Sequence, residues 1–217
     1  MTVLHDVSHP VWAGMPKIPV LPEVGVDPVT SIDAGQPLNI SLLHLATHAG
    51  THIDAPRHAL ADGATIDEVP VDRFVSPGVV VAVNRGPGEE IPVEDVAAAD
   101  VRRGDVVLLS TGWARHFEAP EYNDHPYPSV ALAEWLVETG VNMLGVDCIT
   151  VDAPVERRGP GFDYPVHRTL LGSGVLIIEN LADLAPFAGQ RVVVHAAPLA
   201  VRAGDAGHAR VLLEVTA

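Results

Sequence analysis

The stretch that decides how this chain folds is residues 48–58, which read His48-Ala49-Gly50-Thr51-His52-Ile53-Asp54-Ala55-Pro56-Arg57-His58. It places three histidines and one aspartate within eleven residues. Neutral imidazole and carboxylate are the ligands that borderline divalent cations such as Zn²⁺ and Mn²⁺ prefer. We therefore interpret the stretch as a metal site. The glycine and the proline within it disfavour a regular helix, so the sequence predicts a turn that folds these side chains inward.

The same spacing also has a purely structural interpretation. His48 and His52 would then be hydrogen-bonded turn residues, and Asp54 would be a local cap. We favour metal binding because histidine is scarce in average sequences and this clustering is unusual. Three protein ligands would leave a fourth position open for water, as in catalytic zinc sites. The spacing favours a metal but does not select a reaction.

Length and composition limit the fold and the chemistry. A chain of 217 residues, of which 47% are hydrophobic, is long enough to bury a core as one domain spanning 1–217. Cys148 is its single cysteine, which excludes an intramolecular disulfide framework and a cysteine-based zinc site. Any metal therefore needs nitrogen and oxygen ligands. We expect a reducing, cytoplasmic setting.

The formal net charge of −15 argues against two classes of partner. Such a chain would be repelled by phosphate backbones and by anionic lipid, so we expect no nucleic acid and no membrane as partner. The N-terminus has neither the basic nor the apolar region of a secretory signal. No apolar run approaches the roughly 18 residues of a membrane span.

Hydrophobic patterning predicts a mixed α/β fold. Six prolines in the first 37 residues favour turns and edge strands there. Residues 129–138 are the strongest helix, with Ser129 as its cap and Gly140 as its stop. Shorter helices are expected at 93–101 and 166–171. Strands are predicted at 38–47, 79–83, 105–110, 143–146, 175–179, 191–194 and 210–215.

The loop from 114 to 128 is polar and contains proline. Its titratable residues are His116, Glu118, Glu121, Asp124 and His125. We expect it to be a solvated surface loop, because connecting segments usually run over the surface. Covering a site is the alternative.

The pattern His-x-Gly-Thr-His-x-Asp-x-Pro-x-His resembles the signature of the putative cyclase family, which includes bacterial kynurenine formamidases and isatin hydrolases. Further blocks also resemble this family: 104–109 with 111–113, 145–147 with 151–152, and 178–181. The resemblance implies an α/β fold with a mixed sheet, of the swivelling β/β/α type. It also implies a homodimer or a higher homo-oligomer.

The resemblance further implies a set of metal ligands, in which Asp54 would reach two cations. The implied ligands are His48, His52, Asp54, His167 and Glu179. Two divalent cations per subunit, Zn²⁺ or Mn²⁺, would occupy them. Four positive charges against two carboxylates leave a surplus that would stabilise a hydroxide near neutral pH. That hydroxide would attack an amide carbonyl polarised by the metal.

Two other residues receive roles from the resemblance. His58 matches the histidine that transfers a proton to the leaving amine, a task suited to an imidazole titrating near pH 7. Trp12 is implied as an aromatic contact for the substrate ring. The chain departs from familiar members at Ala59 and over 205–210, outside the implied ligands.

The function implied is metal-dependent hydrolysis of a small amide. The first candidate is an arylformamidase of tryptophan catabolism, which converts N-formyl-L-kynurenine to L-kynurenine and formate. A sister hydrolase that opens a cyclic amide or lactone, such as isatin, is the nearest alternative. A catalytically silent metal-binding or scaffold protein is the alternative from another class.

Overall fold

The structure, a computed structural model, describes residues 2–216. The described residues form thirteen strands and three α-helices. The strands are β1 (Thr2–Asp6), β2 (Gly25–Thr30), β3 (Ile40–His44), β4 (His52–Asp54), β5 (Val75–Ala82), β6 (Glu90–Ile91), β7 (Val106–Ser110), β8 (Tyr127–Pro128), β9 (Met143–Val146), β10 (Leu176–Glu179), β11 (Arg191–His195), β12 (Ala206–His208) and β13 (Leu212–Thr216). The helices are α1 (Glu94–Ala97), α2 (Val130–Thr139) and α3 (Pro165–Gly172).

Nine of these strands form one mixed sheet in the order β1-β13-β11-β5-β7-β9-β10-β4-β12. The four central strands, β5, β7, β9 and β10, run parallel, and the strands on both sides of them pair antiparallel. The mixed sheet confirms the α/β fold expected from the sequence. None of the described helices has the length and apolar character needed to cross a bilayer.

The core lies on both faces of the sheet. All five residues of β7 are buried, and they alternate between the two faces. Val107 and Leu109 pack in the cluster that includes the buried faces of α2 and α3. Val106 and Leu108 pack in the cluster on the opposite face. Burial on both faces explains why this strand reads as a continuous apolar run in the sequence.

The principal helix has the ends that the sequence predicted. The hydroxyl of Ser129 accepts a hydrogen bond of 3.1 Å from the backbone N–H of Leu132. Gly140 adopts a φ of +78° after the last turn, a conformation that glycine tolerates best. The expected helix at 93–101 is shorter than predicted, since only Glu94–Ala97 is helical.

The strand predicted at 38–47 is confirmed over β3, but it does not join the main sheet. It pairs only with β2, as a separate two-stranded hairpin. All five residues of β3 are exposed, among them Leu42 and Leu43. Within residues 2–216 this apolar hairpin therefore has no covering layer.

The expectation of a solvated loop at 114–128 is wrong for its central part. Phe117, Tyr122 and His125 are buried, and Tyr122 donates a hydrogen bond of 3.1 Å to Oδ1 of Asn180. Asp124 on the loop pairs with Arg157 at 2.6 Å. The aromatic side chains bury the loop because their apolar area outweighs the polar residues between them.

Candidate metal centre

The register of two strands builds the floor of the site. In β4, alternation places His52 and Asp54 on one face of the sheet and Ile53 on the other. His52 lies directly opposite Glu179 of β10. All three polar residues are almost completely buried. Because Glu179 ends a parallel strand, the site lies at the carboxyl edge of the central sheet, where ligand sites of α/β sheets commonly occur.

His48 reaches this floor from the turn that precedes β4. Gly50 in that turn has a φ of +68°, and its carbonyl lies 2.7 Å from Nδ1 of His52. Nδ1 of His48 lies 2.9 Å from Oδ1 of Asp54 and 3.2 Å from Nε2 of His52. The turn predicted for residues 48–58 is wrong for residues 52–54, which form β4 because they pair with β10 and β12. The turn before β4 and the strand itself bring His48, His52 and Asp54 together.

His167 approaches from α3, on the opposite side of Asp54. Its Nε2 lies 3.6 Å from Oδ2 of Asp54 and 3.3 Å from Oε1 of Glu179. Its Nδ1 lies 2.5 Å from Oδ2 of Asp152. The backbone N–H groups of Val166 and His167 donate to the same carboxylate at 3.0 and 3.3 Å. Asp152 therefore anchors both the imidazole and the first turn of the helix.

His48, His52 and His167 each have one ring nitrogen that faces Asp54 and one, here called the outer nitrogen, that faces away from it. Each outer nitrogen lies next to a hydrogen-bond acceptor. These partners are Asp205 at 3.0 Å for His48, the Gly50 carbonyl at 2.7 Å for His52 and Asp152 at 2.5 Å for His167. An acceptor requires the facing nitrogen to carry the proton. In the neutral imidazoles the inner nitrogens therefore present lone pairs to the centre, the arrangement that partner groups impose on metal-binding histidines.

The donor set fits a divalent cation. Both carboxylate oxygens of Asp54 are fully buried and lack a hydrogen bond of acceptable geometry, although ring nitrogens lie 2.9 to 3.6 Å away. A buried carboxylate without donors is costly unless a cation neutralises it. His52, Asp54 and Glu179 offer ligand atoms within 4.8 Å of one another, and so do His48, Asp54 and His58.

The pKa values of His48 and His167 also indicate a site that favours a cation. Burial disfavours protonation of His48, but its contacts with Asp54 and Asp205 outweigh this effect and raise its pKa to about 9. For His167, burial is likewise outweighed by Asp152 and Asp54, and its pKa lies well above the ordinary value. Both imidazoles thus lie in a field that attracts positive charge, which a proton or a metal cation can supply.

His58 lies at the rim of the cluster, on the 3-10 turn Pro56–His58. Its ring centroid is 3.9 Å from that of His48 and 5.4 Å from that of His167. About a third of its side chain is exposed, whereas the other two imidazoles are more deeply buried. Burial lowers the pKa of His58 below its ordinary value.

A cavity of about 320 Å³ opens above the cluster. The side chains of His48, His58, His167 and Glu179 line it on the protein's inner side. Aliphatic residues that include Ile18, Leu21 and Val155 line one wall, and Arg158, Tyr164 and Arg168 also line it. Its size is in the range of small-ligand sites.

The lining of this cavity does not include Trp12 among the described residues. The indole is half-buried and packs edge-on against Phe117, with ring centroids 5.8 Å apart. Its contact with a substrate stays a prediction.

Two carboxylates of the site had no role in the sequence analysis. Asp205 contacts Nε2 of His48 at 3.0 Å and lies 4.0 Å from Nδ1 of His58. Asp152 supports His167. Asp152 belongs to the block 151–152, whose resemblance to the family could have indicated a role for this residue. Asp205 stood in a segment that departs from the family, and only the pairing of β12 with β4 brings it to the motif.

Comparison with known proteins identifies the family. The family described as putative cyclase matches residues 5–153. The kynurenine formamidase of Salinibacter ruber is 34% identical over 178 residues, which cover 81% of this chain and 80% of that protein. The chain belongs to the putative cyclase family. The resemblance drawn from residues 48–58 is thereby confirmed.

Solved structures of related proteins agree with this chain in fold over its whole length. Isatin hydrolase A from Labrenzia aggregata is 26% identical with a TM-score of 0.89, covering 100% of this chain and 94% of that one. A potential metal-dependent hydrolase with cyclase activity is 28% identical with a TM-score of 0.82, covering 100% of both chains. These relatives confirm a metal-dependent amidohydrolase of the arylformamidase type.

Proposed function

We propose that this protein hydrolyses an N-formylated aryl amine. The first candidate is N-formyl-L-kynurenine, with L-kynurenine and formate as products. The observation that carries the proposal is the buried carboxylate of Asp54, which three imidazoles surround at the base of a cavity. The similarity to a kynurenine formamidase over 81% of the chain supports this substrate class.

We assign cation binding to the same residues that the sequence analysis selected, namely His48, His52, Asp54, His167 and Glu179. Zn²⁺ or Mn²⁺ suits this nitrogen and oxygen set, and we propose two ions per subunit. A divalent cation in such a site supplies Lewis acidity for the carbonyl and lowers the pKa of water. The residues themselves contribute fixed geometry, since each of the three imidazoles is held by an acceptor on its outer nitrogen.

We assign proton transfer to His58. Because burial lowers its pKa below the ordinary value of 6.5, most of the imidazole is neutral at pH 7 and one ring nitrogen is free to accept a proton. The protonated ring can then donate to the departing amine. Its position at the rim of the cluster, on the cavity wall, suits contact with the amide nitrogen of a bound substrate.

We propose that the active form is a homodimer or a higher homo-oligomer. The support is the apolar hairpin of β2 and β3, whose Leu42 and Leu43 are 48% and 56% exposed. Exposed apolar surface of this kind is typical of subunit contacts. Sedimentation of the wild type and of a Leu42→Ser/Leu43→Ser variant tests this proposal.

The substrate proposal is tested by a panel of four compounds with zinc-loaded and manganese-loaded protein. The panel contains N-formyl-L-kynurenine, N-formylanthranilate, isatin and a simple lactone. We expect the highest kcat/KM for a formylated aryl amine, with formate as product. Faster opening of isatin or the lactone would favour the sister activity instead. Turnover of none of them by metal-loaded protein would favour the silent scaffold and contradict the proposal.

A further inference from the structure

We propose that Arg158 and Arg168 bind a carboxylate of the substrate, so that the preferred substrates are aromatic N-acyl amines that carry an acid group. This inference rests on the proposed function and narrows its substrate class. Both arginines line the cavity whose inner side holds His48, His167 and Glu179. Neither contributes to the candidate metal site.

Arg158 is held in place by its own loop. Its Nε donates a hydrogen bond of 2.8 Å to the carbonyl of Ala153. Its guanidinium carbon lies 5.0 Å from the ring centroids of both Phe162 and Tyr164. These contacts orient a half-buried cation, and in residues 2–216 its two terminal nitrogens have no hydrogen-bond partner. An oriented guanidinium with free donors is suited to a planar carboxylate.

Arg168 adds a second cation from the helix that carries His167. Its Nε donates a hydrogen bond of 2.7 Å to the carbonyl of Asp163, and its side chain is exposed. Within the described residues, no carboxylate lies within 4.0 Å of the nitrogens of Arg158 or Arg168. Two cations without an acidic partner therefore border one cavity in a chain whose formal net charge is −15.

The surrounding walls suit an aromatic ring. Tyr164 is 47% exposed and adopts a φ of +55°, a conformation that is uncommon for a bulky residue. The aliphatic wall includes Ile18, Leu21 and Val155. A cavity of about 320 Å³ is at the lower end of the range for small ligands, which fits a substituted benzene ring.

The charge of the substrate matters because neither arginine is a candidate metal ligand. The proposed cations would neutralise Asp54 and Glu179 and would polarise the reacting carbonyl, so an acid group elsewhere on the substrate needs a counter-charge of its own. Arg158 and Arg168 provide that counter-charge in the lining of the cavity. A neutral substrate such as isatin would leave both guanidinium groups without an anionic partner.

The first test measures binding and needs no turnover. Anthranilate and its uncharged methyl ester are both fluorescent, so their dissociation constants can be compared in the wild type and in Arg158→Gln, Arg168→Gln and the double variant. We expect the wild type to prefer the acid and the double variant to lose at least tenfold of that preference, as for a charged hydrogen bond. Arg158→Lys should keep part of this preference, because lysine retains the positive charge but cannot bind a carboxylate through two N–H groups at once.

Arg157→Gln is the matched control. Arg157 neighbours Arg158 in the chain, is exposed and pairs with Asp124 at 2.6 Å, and it does not line the cavity. An unchanged preference in the double variant would overturn the inference. So would a preference that disappears on removal of the metal but survives in both arginine variants, since the metal would then be the anion site.

The second test compares hydrolysis of N-formylanthranilate with that of formanilide, which lacks the acid group. We expect the ratio of their kcat/KM values to fall at least tenfold in Arg158→Gln, mainly through KM, because the contact forms already in the ground state. An equal ratio in wild type and variant would overturn the inference. If neither amide is hydrolysed, the proposed function fails, and the anthranilate binding test still decides the role of the arginines.

Discussion

The carboxylate of Asp152 lies 2.5 Å from Nδ1 of His167 and also accepts the backbone N–H groups of Val166 and His167. One acid group therefore orients a candidate metal ligand and anchors the start of α3. A metal ligand that is buried needs such a partner, because an imidazole with a free ring orientation would lose more entropy on binding the metal.

Asp152→Asn should weaken metal binding by about 10- to 100-fold, the usual effect of losing a partner of a ligand histidine. The amide keeps the size of the side chain but places an N–H group against one of the three donors. Competition with a chromophoric chelator measures the affinity. Asp163→Asn is the control, since Asp163 is exposed and accepts through its backbone carbonyl. Equal affinities of the two variants would contradict the role of Asp152.

Asp54→Ala should remove most of the bound metal. The buried carboxylate of Asp54 faces His48, His52 and His167 at 2.9 to 3.6 Å, so its loss removes the shared ligand. Elemental analysis after dialysis measures metal per subunit, and circular dichroism checks the fold. Full metal content in the folded variant would show that Asp54 is not a metal ligand.

His58→Ala should keep the metal and lower kcat by roughly 10²- to 10⁴-fold, the contribution typical of a general acid or base. The variant also separates two roles that the geometry allows, because His58 has a ligand atom within 4.8 Å of those of His48 and Asp54. Metal content and kcat are measured on the same preparation. Loss of one metal ion per subunit would make His58 a ligand, and unchanged turnover would exclude proton transfer.

His125 should make the fold sensitive to acid. Burial lowers its pKa to about 4 from the ordinary 6.5, so the unfolded chain binds the proton more readily. The stabilisation is complete above pH 6.5 and is lost as the pH falls towards 4. His125 alone contributes on the order of 3 kcal/mol. Burial lowers the pKa of His9 to about 4 as well, so His9 adds to the slope of stability against pH.

Urea unfolding between pH 4 and 7 measures this effect. His125→Asn retains a donor for the carbonyl of Pro126, which lies 3.0 Å from Nδ1, but does not titrate. We expect a smaller loss of unfolding free energy on acidification than in the wild type. His44→Asn, at an exposed position of β3, is the control for the substitution itself. Parallel slopes for wild type and His125→Asn would refute the assignment.

Gly50→Ala should destabilise the turn of the motif. A methyl group there would lie 2.8 Å from Cε of the buried Met15, and φ is +68°. The backbone conformation alone costs about 1–2 kcal/mol for alanine. Gly35→Ala isolates that part, because Gly35 has a φ of +81° and nothing within 4 Å of the added methyl group. The unfolding free energy of Gly50→Ala should fall further than that of Gly35→Ala, and equal losses would exclude the Met15 contact.

The sequence by itself determined the elements whose signals are local. Ser129 and Gly140 define the ends of α2, and the apolar runs of β7 and β9 mark buried strands. The residue types in 48–58 predicted a cation site with nitrogen and oxygen ligands, because ligand preference follows from side-chain chemistry alone.

The tertiary structure alone decided which distant residues meet. Glu179 joins His52 through the register of β10 and β4, and Asp205 joins His48 because β12 adds to the same edge. Sheet register depends on long-range pairing and on which face is buried, and a single sequence does not encode this as a local pattern. For the same reason, the sequence did not predict the burial of Tyr122 or the position of Arg158 beside the cavity, and only the tertiary structure shows them.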